Sequence, residues 1–270
     1  MSCSWTSVDA VFAELGLPDS SVLLDARNDA ELGSQPRLVP GALRAPYEHV
    51  QQWSRALPRT RPIVAYSSDG GGASVLLADA LTTMGYPATA LEGGMEAWMR
   101  AGYPTIRARS EFNVPGGSRW VTRERPKIDR LACPWLVRRF IDPRAAFFYA
   151  PAHQVRSESQ ALRAEPYDIP DVLFSHRGPR CSFDAFLEEF DLHDTVLDRL
   201  AAIVRAADTD ELAQSPEAAG LLAISLGLSA NIADDIVLLQ QAMPLYDALY
   251  AWCKKAHRET HSWPQKTTRS

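Results

Sequence analysis

Pro62-Ile63-Val64-Ala65-Tyr66-Ser67-Ser68-Asp69-Gly70-Gly71-Gly72-Ala73 is the stretch that decides the fold of the first half. Four apolar or aromatic residues in a row suit a strand buried on both faces, as in a parallel sheet. The serines and glycines that follow form a turn, and the apolar run from Ala73 through Met84 predicts a helix that Gly85 ends. Outward from this unit the same alternation repeats. Ser7 to Leu15 reads as a helix with Ser7 as its N-cap, Ser21 to Asp25 as a strand, and Pro87 to Leu91 as another strand. Gly93-Gly94 then turns the chain into a helix from Met95 to Arg100. Strands alternating with helices predict a parallel sheet with flanking helices.

Four segments, in order, resemble the rhodanese family. Leu24-Asp25-Ala26-Arg27 resembles its first core strand with the closing Asp-x-Arg, and Val39-Pro40-Gly41-Ala42 resembles its His-x-Pro-Gly-Ala segment. Val64-Ala65-Tyr66 leads into the active-site loop, and Leu91 to Trp98 with Gly102-Tyr103-Pro104 closes the domain. The loop departs from the family. Ser67 occupies the position of the sulfur-carrying cysteine, and Gly72 and Ala73 replace the usual Arg and Ser. A hydroxyl cannot carry a sulfane sulfur as a thiolate does. The degenerate loop of Ser67, Ser68, Asp69, Gly70, Gly71, Gly72 and Ala73 is therefore expected to be a pseudo-sulfurtransferase remnant. Its backbone amides at a helix start could still hold a small anion, and a turn without a ligand is the plainer expectation.

Beyond Arg109, the cluster Pro115-Gly116-Gly117 marks a break, so the expected organisation is residues 1–108, a linker at 109–117 and a second domain at 118–270. Ser118 to Arg123 and Phe147 to Tyr149 read as strands, and Asp168 to Phe174 as a further one. Asp129 to Phe140 reads as a helix with Pro134 inside it. Helices also start at Ser182, after Asp194, at Ser215-Pro216-Glu217 and after Asn231. The second domain is expected to be mostly α-helical with a small β element.

This half resembles the C-terminal domain of the ChrB chromate-resistance family. The resemblance rests on Trp120 to Leu136, Ala206-Ala207-Asp208-Thr209-Asp210, Glu217 to Leu228, and Leu245 to Cys253. It implies a chromate-resistance protein in a sensory or regulatory role, with a small oxyanion such as chromate or sulfate as its partner. Family members with a transcriptional role carry a different N-terminal region, so DNA binding is not implied here.

Two constellations are candidates for the site. Arg123, Arg125, Lys127 and Arg130, followed by Arg138 and Arg139, form a basic run, and His176 and Arg177 could complete an oxyanion pocket from a second loop. The alternative is a solvated face, or pairing with Glu124 and Asp129. Cys133, His176, Cys181, Asp208 and Asp210 could instead hold a divalent metal. Buried cysteines are usually plain core residues, so the expectation weighs against a tightly held cofactor. Asp208, Asp210, Asp234 and Asp235 near helix ends suit capping, with a paired-carboxylate role as the sharper alternative. Tyr246 and Tyr250 fall at helical spacing and suit a core. No residue is assigned a catalytic role, and the competing class is an enzyme, either a residual sulfurtransferase or a metal-dependent activity of the helical domain.

Composition excludes little else. A net charge of −5 over 270 residues gives no general attraction to nucleic acid. No apolar run is long enough for a membrane helix, and Met1-Ser2-Cys3-Ser4-Trp5 has neither the basic start nor the apolar core of a signal peptide. Cys3, Cys133, Cys181 and Cys253 form no CxxC, so a cytoplasmic location is the simplest expectation.

Overall fold

The computed structural model describes residues 4–45, 47, 50–112 and 116–259. The readings on Met1–Cys3, on Pro115 and on the tail beyond 259 lie outside the described residues. In the first half β1 (Trp5–Thr6), α1 (Val8–Glu14), β2 (Val22–Asp25), α2 (Asp29–Ser34), β3 (Arg37–Leu38), β4 (Leu43–Arg44), α3 (Val50–Trp53), β5 (Ile63–Tyr66), α4 (Ala73–Thr83), β6 (Ala88–Leu91), α5 (Gly94–Arg100) and β7 (Ile106–Arg107) follow one another. The strands form a parallel sheet in the order β1-β6-β5-β2-β4. All of β5 is buried, which is why its sequence shows no alternation. Ser7 caps α1 by accepting from the Ala10 amide, as its position in the sequence indicates. The capping box of Asn28 and Glu31 that starts α2 was not foreseen.

The second half contains β8 (Arg119–Arg123), α6 (Asp129–Leu136), β9 (Ala146–Ala150), α7 (Val155–Leu162), β10 (Glu165–Pro166), α8 (Ser182–Glu189), α9 (Thr195–Asp208), α10 (Ala218–Asn231) and α11 (Asp235–Ala251). Its small sheet is parallel, in the order β10-β8-β9. Three expectations need correction. Asp168 to Phe174 is a loop, because Asp168 and Asp171 take left-handed φ of 51° and 57°, a conformation that breaks a strand. Asn231 ends α10, and α11 is instead capped by Asp234, which accepts from the Ile236 and Val237 amides. The helix from Asp129 opens into a π turn over Val137–Ile141.

One buried apolar cluster runs from Val11 and Leu15 in the first half to Tyr246 and Tyr250 in the second. Gly16, at φ +78°, lies where a Cβ would stand 2.4 Å from the Phe140 ring. Gly41 donates to the Phe140 carbonyl at 2.6 Å. Lys254 completes the seam by donating to the carbonyls of Phe12, Ala13 and Leu15, the free end of α1. Phe112, within the stretch read as a linker, stacks on Trp120 at 4.7 Å. Among the described residues no helix is long and apolar enough to cross a membrane.

Candidate functional site

β8 ends at Arg123, and the turn into α6 carries two strained residues. Arg125 and Ile128 have φ of 54° and 42°. A β-branched residue at positive φ persists only where its surroundings hold it. Here the Tyr246 hydroxyl donates to the Ile128 carbonyl at 2.6 Å, and the Ile128 amide donates to Ser225 Oγ at 2.9 Å. The next residue, Asp129, is thereby fixed at the start of α6 with its side chain 2% exposed. Pro134 lacks the N–H that would reach back to Arg130. The Tyr167 hydroxyl takes that free carbonyl at 3.2 Å, which ties the loop carrying Asp168 to α6.

Four side chains from three parts of the chain meet there: Asp129 from the start of α6, Asp168 and His176 from the connection between β10 and α8, and Asp208 from the end of α9. His176 Nε2 lies 3.4 Å from Asp129 Oδ2, 3.4 Å from Asp168 Oδ1 and 3.1 Å from Asp208 Oδ2. Asp208 is the last residue of α9. Ligand atoms of Asp129, His176 and Asp208 all lie within 4.8 Å of one another, a spacing that one metal ion can span. The His176 side chain is 40% exposed while the three carboxylates are nearly covered, so the cluster meets solvent through the imidazole. Hydrogen bonds to Asp129 and Asp168 push the imidazole up to about 10 despite partial burial. Burial, then Asp129 and Asp168, push the Asp208 carboxyl up to about 8. Burial also opposes ionisation of Asp168, yet hydrogen bonds from His176 and Arg123 and the charges of Arg123 and Arg130 hold it below the usual range.

Asp168 gathers most of the other donors. Arg123 Nη2 donates to it at 2.6 Å, Arg130 Nε lies 3.2 Å away, and Ser182 Oγ donates at 3.0 Å. Asp129 accepts from the Ser182 amide at 3.3 Å.

The basic run is divided among several partners. Arg123 and Arg130 do converge, on a carboxylate. Neither forms the pairing with Glu124 or Asp129 that the sequence allowed, although Arg130 Nη1 donates to the Glu124 carbonyl at 3.1 Å. Arg125 closes the end of α10 through the Ser229 and Ile232 carbonyls. Arg177 pairs with Glu188 and Glu189 at 2.8 and 2.5 Å. Lys127 is exposed. Of the metal candidates, His176 and Asp208 meet in the cluster. Cys133 and Cys181 are buried close by, and burial first, then Asp129, pushes both thiols well up, so they are protonated core residues. Asp210 is exposed in a left-handed turn past α9 and outside the cluster. Sequence reasoning missed Asp129 and Asp168 as site residues. The legible signal was Pro134 inside the helix, because it leaves the Arg130 carbonyl needing a donor from outside α6.

In the first half, Ser67 is 4% exposed. Its hydroxyl donates to the Gly71 carbonyl at 2.9 Å and meets Ser74 Oγ at 3.1 Å. Asp69 accepts from the Gly71 amide at 2.8 Å, so a carboxylate of the chain already occupies an amide that an anion would seek. The Asp-x-Arg pair is internal. Arg27 and Asp25 are fully buried and joined by two hydrogen bonds of 2.9 and 2.8 Å.

Comparison with known proteins finds one family match in each half of the chain. Residues 120–253 match the family described as ChrB, C-terminal domain, and residues 9–101 match the Rhodanese-like domain family. Protein ChrB of Cupriavidus metallidurans is 35% identical over 136 residues, which is 50% of this chain and 40% of that protein's length. A rhodanese-related protein from Thermoplasma volcanium is similar over 38% of this chain and 97% of its own, at 18% identity and a TM-score of 0.34. A rhodanese-like domain protein from Staphylococcus aureus covers 35% of this chain and 90% of its own, at 21% identity and a TM-score of 0.32.

Proposed function

The chain joins a rhodanese-like domain to a C-terminal domain of the ChrB chromate-resistance family, and from that premise we propose that it is a metal-dependent oxyanion-binding protein of chromate resistance. The observation that carries this reading is the convergence of His176 on Asp129, Asp168 and Asp208. One imidazole among carboxylates suits manganese, iron(II) or zinc and is poor for a soft ion such as copper(I). Asp129, His176 and Asp208 are the ligands. Asp168, held by both arginines and Ser182, lies against the same Nε2 and closes the cluster on that side. A bound ion takes up carboxylate oxygens that would otherwise repel an anion. Arg123, which donates to Asp168 at 2.6 Å, lies beside the cluster, and its Nε is buried without a hydrogen-bond partner among the described residues. An oxyanion could then take one oxygen to the metal and another to the guanidinium.

Metal analysis of the purified chain, followed by manganese and zinc titration, tests this directly. The expected result is one ion per chain, and saturable chromate or sulfate binding that depends on it. Folded protein that binds none of manganese, iron or zinc would end the proposal.

The rhodanese-like half has a binding or structural role in this reading. Thiosulfate-to-cyanide sulfur transfer is expected at background, since Ser67 offers no thiol. Ser67→Cys alone should restore little, because Gly72 and Ala73 also depart from the family loop and Asp69 occupies the Gly71 amide. Turnover well above a heat-treated control in the wild type would contradict this.

A further inference from the structure

The sequence runs Arg138 and Arg139 together with the arginines of Arg123–Arg130, but the structure takes them elsewhere. They sit on the π turn that faces the first half, where a cavity of about 140 Å³ lies at the seam. Arg61 from the first half lines it as well, together with the end of α1 and the start of β2. Arg139 is bound to Asp247 through Nε and Nη2, both at 2.8 Å, which leaves Nη1. Arg138 donates through Nε to the Ala145 carbonyl at 3.2 Å and its guanidinium lies over the Phe147 ring, 5.2 Å from the centroid, while its Nη atoms have no hydrogen-bond partner among the described residues. Arg61 donates through Nη2 to the Ser20 carbonyl, and its Nε is buried with no hydrogen-bond partner among the described residues. Among the described residues Glu14 is the only carboxylate in the wall, and it already accepts from the Ser21 amide at 2.9 Å. Burial, together with the neighbouring charge of Arg139, lowers the Arg138 guanidinium from its ordinary value, as expected for a cation lacking a close anion.

We propose that this seam cavity binds a small tetrahedral dianion of the sulfate, phosphate or chromate type, held by Arg61 from the first half and by Arg138 and Arg139 from the second. Size favours a small ion, because pockets for cofactors and drug-sized molecules run to ~300–1,000 Å³. Charge favours an anion, because the described lining holds Arg61, Arg138 and Arg139 against one carboxylate, Glu14, and of the three arginines Arg139 is paired, with Asp247. Chemistry favours a tetrahedral oxyanion, because planar guanidinium forks supplied by both halves of the chain match its divergent oxygens. The turn that supplies Arg138 and Arg139 is also a π segment, a form often kept at functional sites. None of these residues belongs to the Asp129–His176–Asp208 cluster, so this site does not require metal. Its ligand would bridge the two halves of the chain.

The test is calorimetric titration of the full chain with sodium sulfate, phosphate and chromate at constant ionic strength, in a chelator that keeps the His176 cluster metal-free. Saturable binding of one ion of any of the three is expected. Arg61→Gln and Arg138→Gln should each weaken it at least tenfold, since each removes a charge-assisted contact. Arg180→Gln, which removes an exposed guanidinium paired with Glu188 outside the cavity, should leave it unchanged, and Glu14→Gln should tighten it several-fold by removing the opposing charge. If a variant does not fold, the wild-type melting temperature decides. It should rise with the dianion above its value in chloride of equal ionic strength. No saturable binding and no rise, or unaltered affinity in both folded arginine variants, would overturn the proposal. Loss of metal binding at His176 would leave it standing.

Discussion

Replacing His176 with alanine is expected to lower manganese or zinc affinity by roughly two to three orders of magnitude, the share of one ligand in a site whose total binding energy is about 10–16 kcal/mol. The same site predicts a steep pH dependence. The imidazole holds its proton up to about 10 and the Asp208 carboxyl up to about 8, and a metal ion must displace both. Below about pH 8 two protons leave for each ion bound, so affinity should climb about a hundredfold per pH unit. Between about 8 and 10 only the imidazole proton remains, and the climb should slow to about tenfold per unit. In Asp208→Asn the steeper limb should disappear while the tenfold limb persists. Competition titrations against a chelator of known affinity at several pH values measure these slopes. A pH-independent affinity, or an unchanged affinity in His176→Ala, would show that His176 is not a ligand.

The sequence was most legible where burial is uniform. Ile63–Tyr66 and Val22–Asp25 announce themselves as strands because a sheet covered on both faces selects unbroken apolar runs. Ser7 and Asp194 announce helix starts because an N-cap is a local event. Asp168 to Phe174 misled because aspartate tolerates left-handed backbone, and nothing local states which conformation it takes. The site was legible by halves. His176 and Asp208 stand out as ligand types, whereas Asp129 resembles any helix-starting acid and Asp168 lies in the segment misread as a strand. Cys133 and Cys181 were drawn toward the site by their chemistry alone. Their complete burial, a tertiary property, is what makes them protonated packing residues. The basic run misled for a related reason. Adjacency in sequence does not survive a turn at Ile128 and a π turn at Val137, which send Arg123 and Arg130 to one carboxylate and Arg138 and Arg139 to the seam.

Asp25→Ala is expected to be the most destabilising single change in the rhodanese-like half, at about 3–5 kcal/mol. Arg27 is fully buried and cannot reach water when its partner is removed. Its remaining hydrogen bonds go to the Gln35 and Arg37 carbonyls, at 3.2 and 2.6 Å, and carbonyls do not neutralise a guanidinium. Arg44, 3.4 Å from the same carboxylate, would lose its counter-charge as well, though it keeps Asp29 at 2.9 Å. The cost therefore comes from the stranded cation more than from the lost bond, and a second variant separates the two. Asp25→Leu combined with Arg27→Met removes both charges at similar volume, so it should unfold less readily than Asp25→Ala although it changes more atoms. What it cannot recover is the partnership of the Gln35 and Arg37 carbonyls, so it should remain below the wild type. Urea unfolding followed by the emission of the chain's tryptophans reports the order. A double variant no more stable than Asp25→Ala would mean that the geometry of the pair, rather than its charge, holds β2 against the turn that follows it.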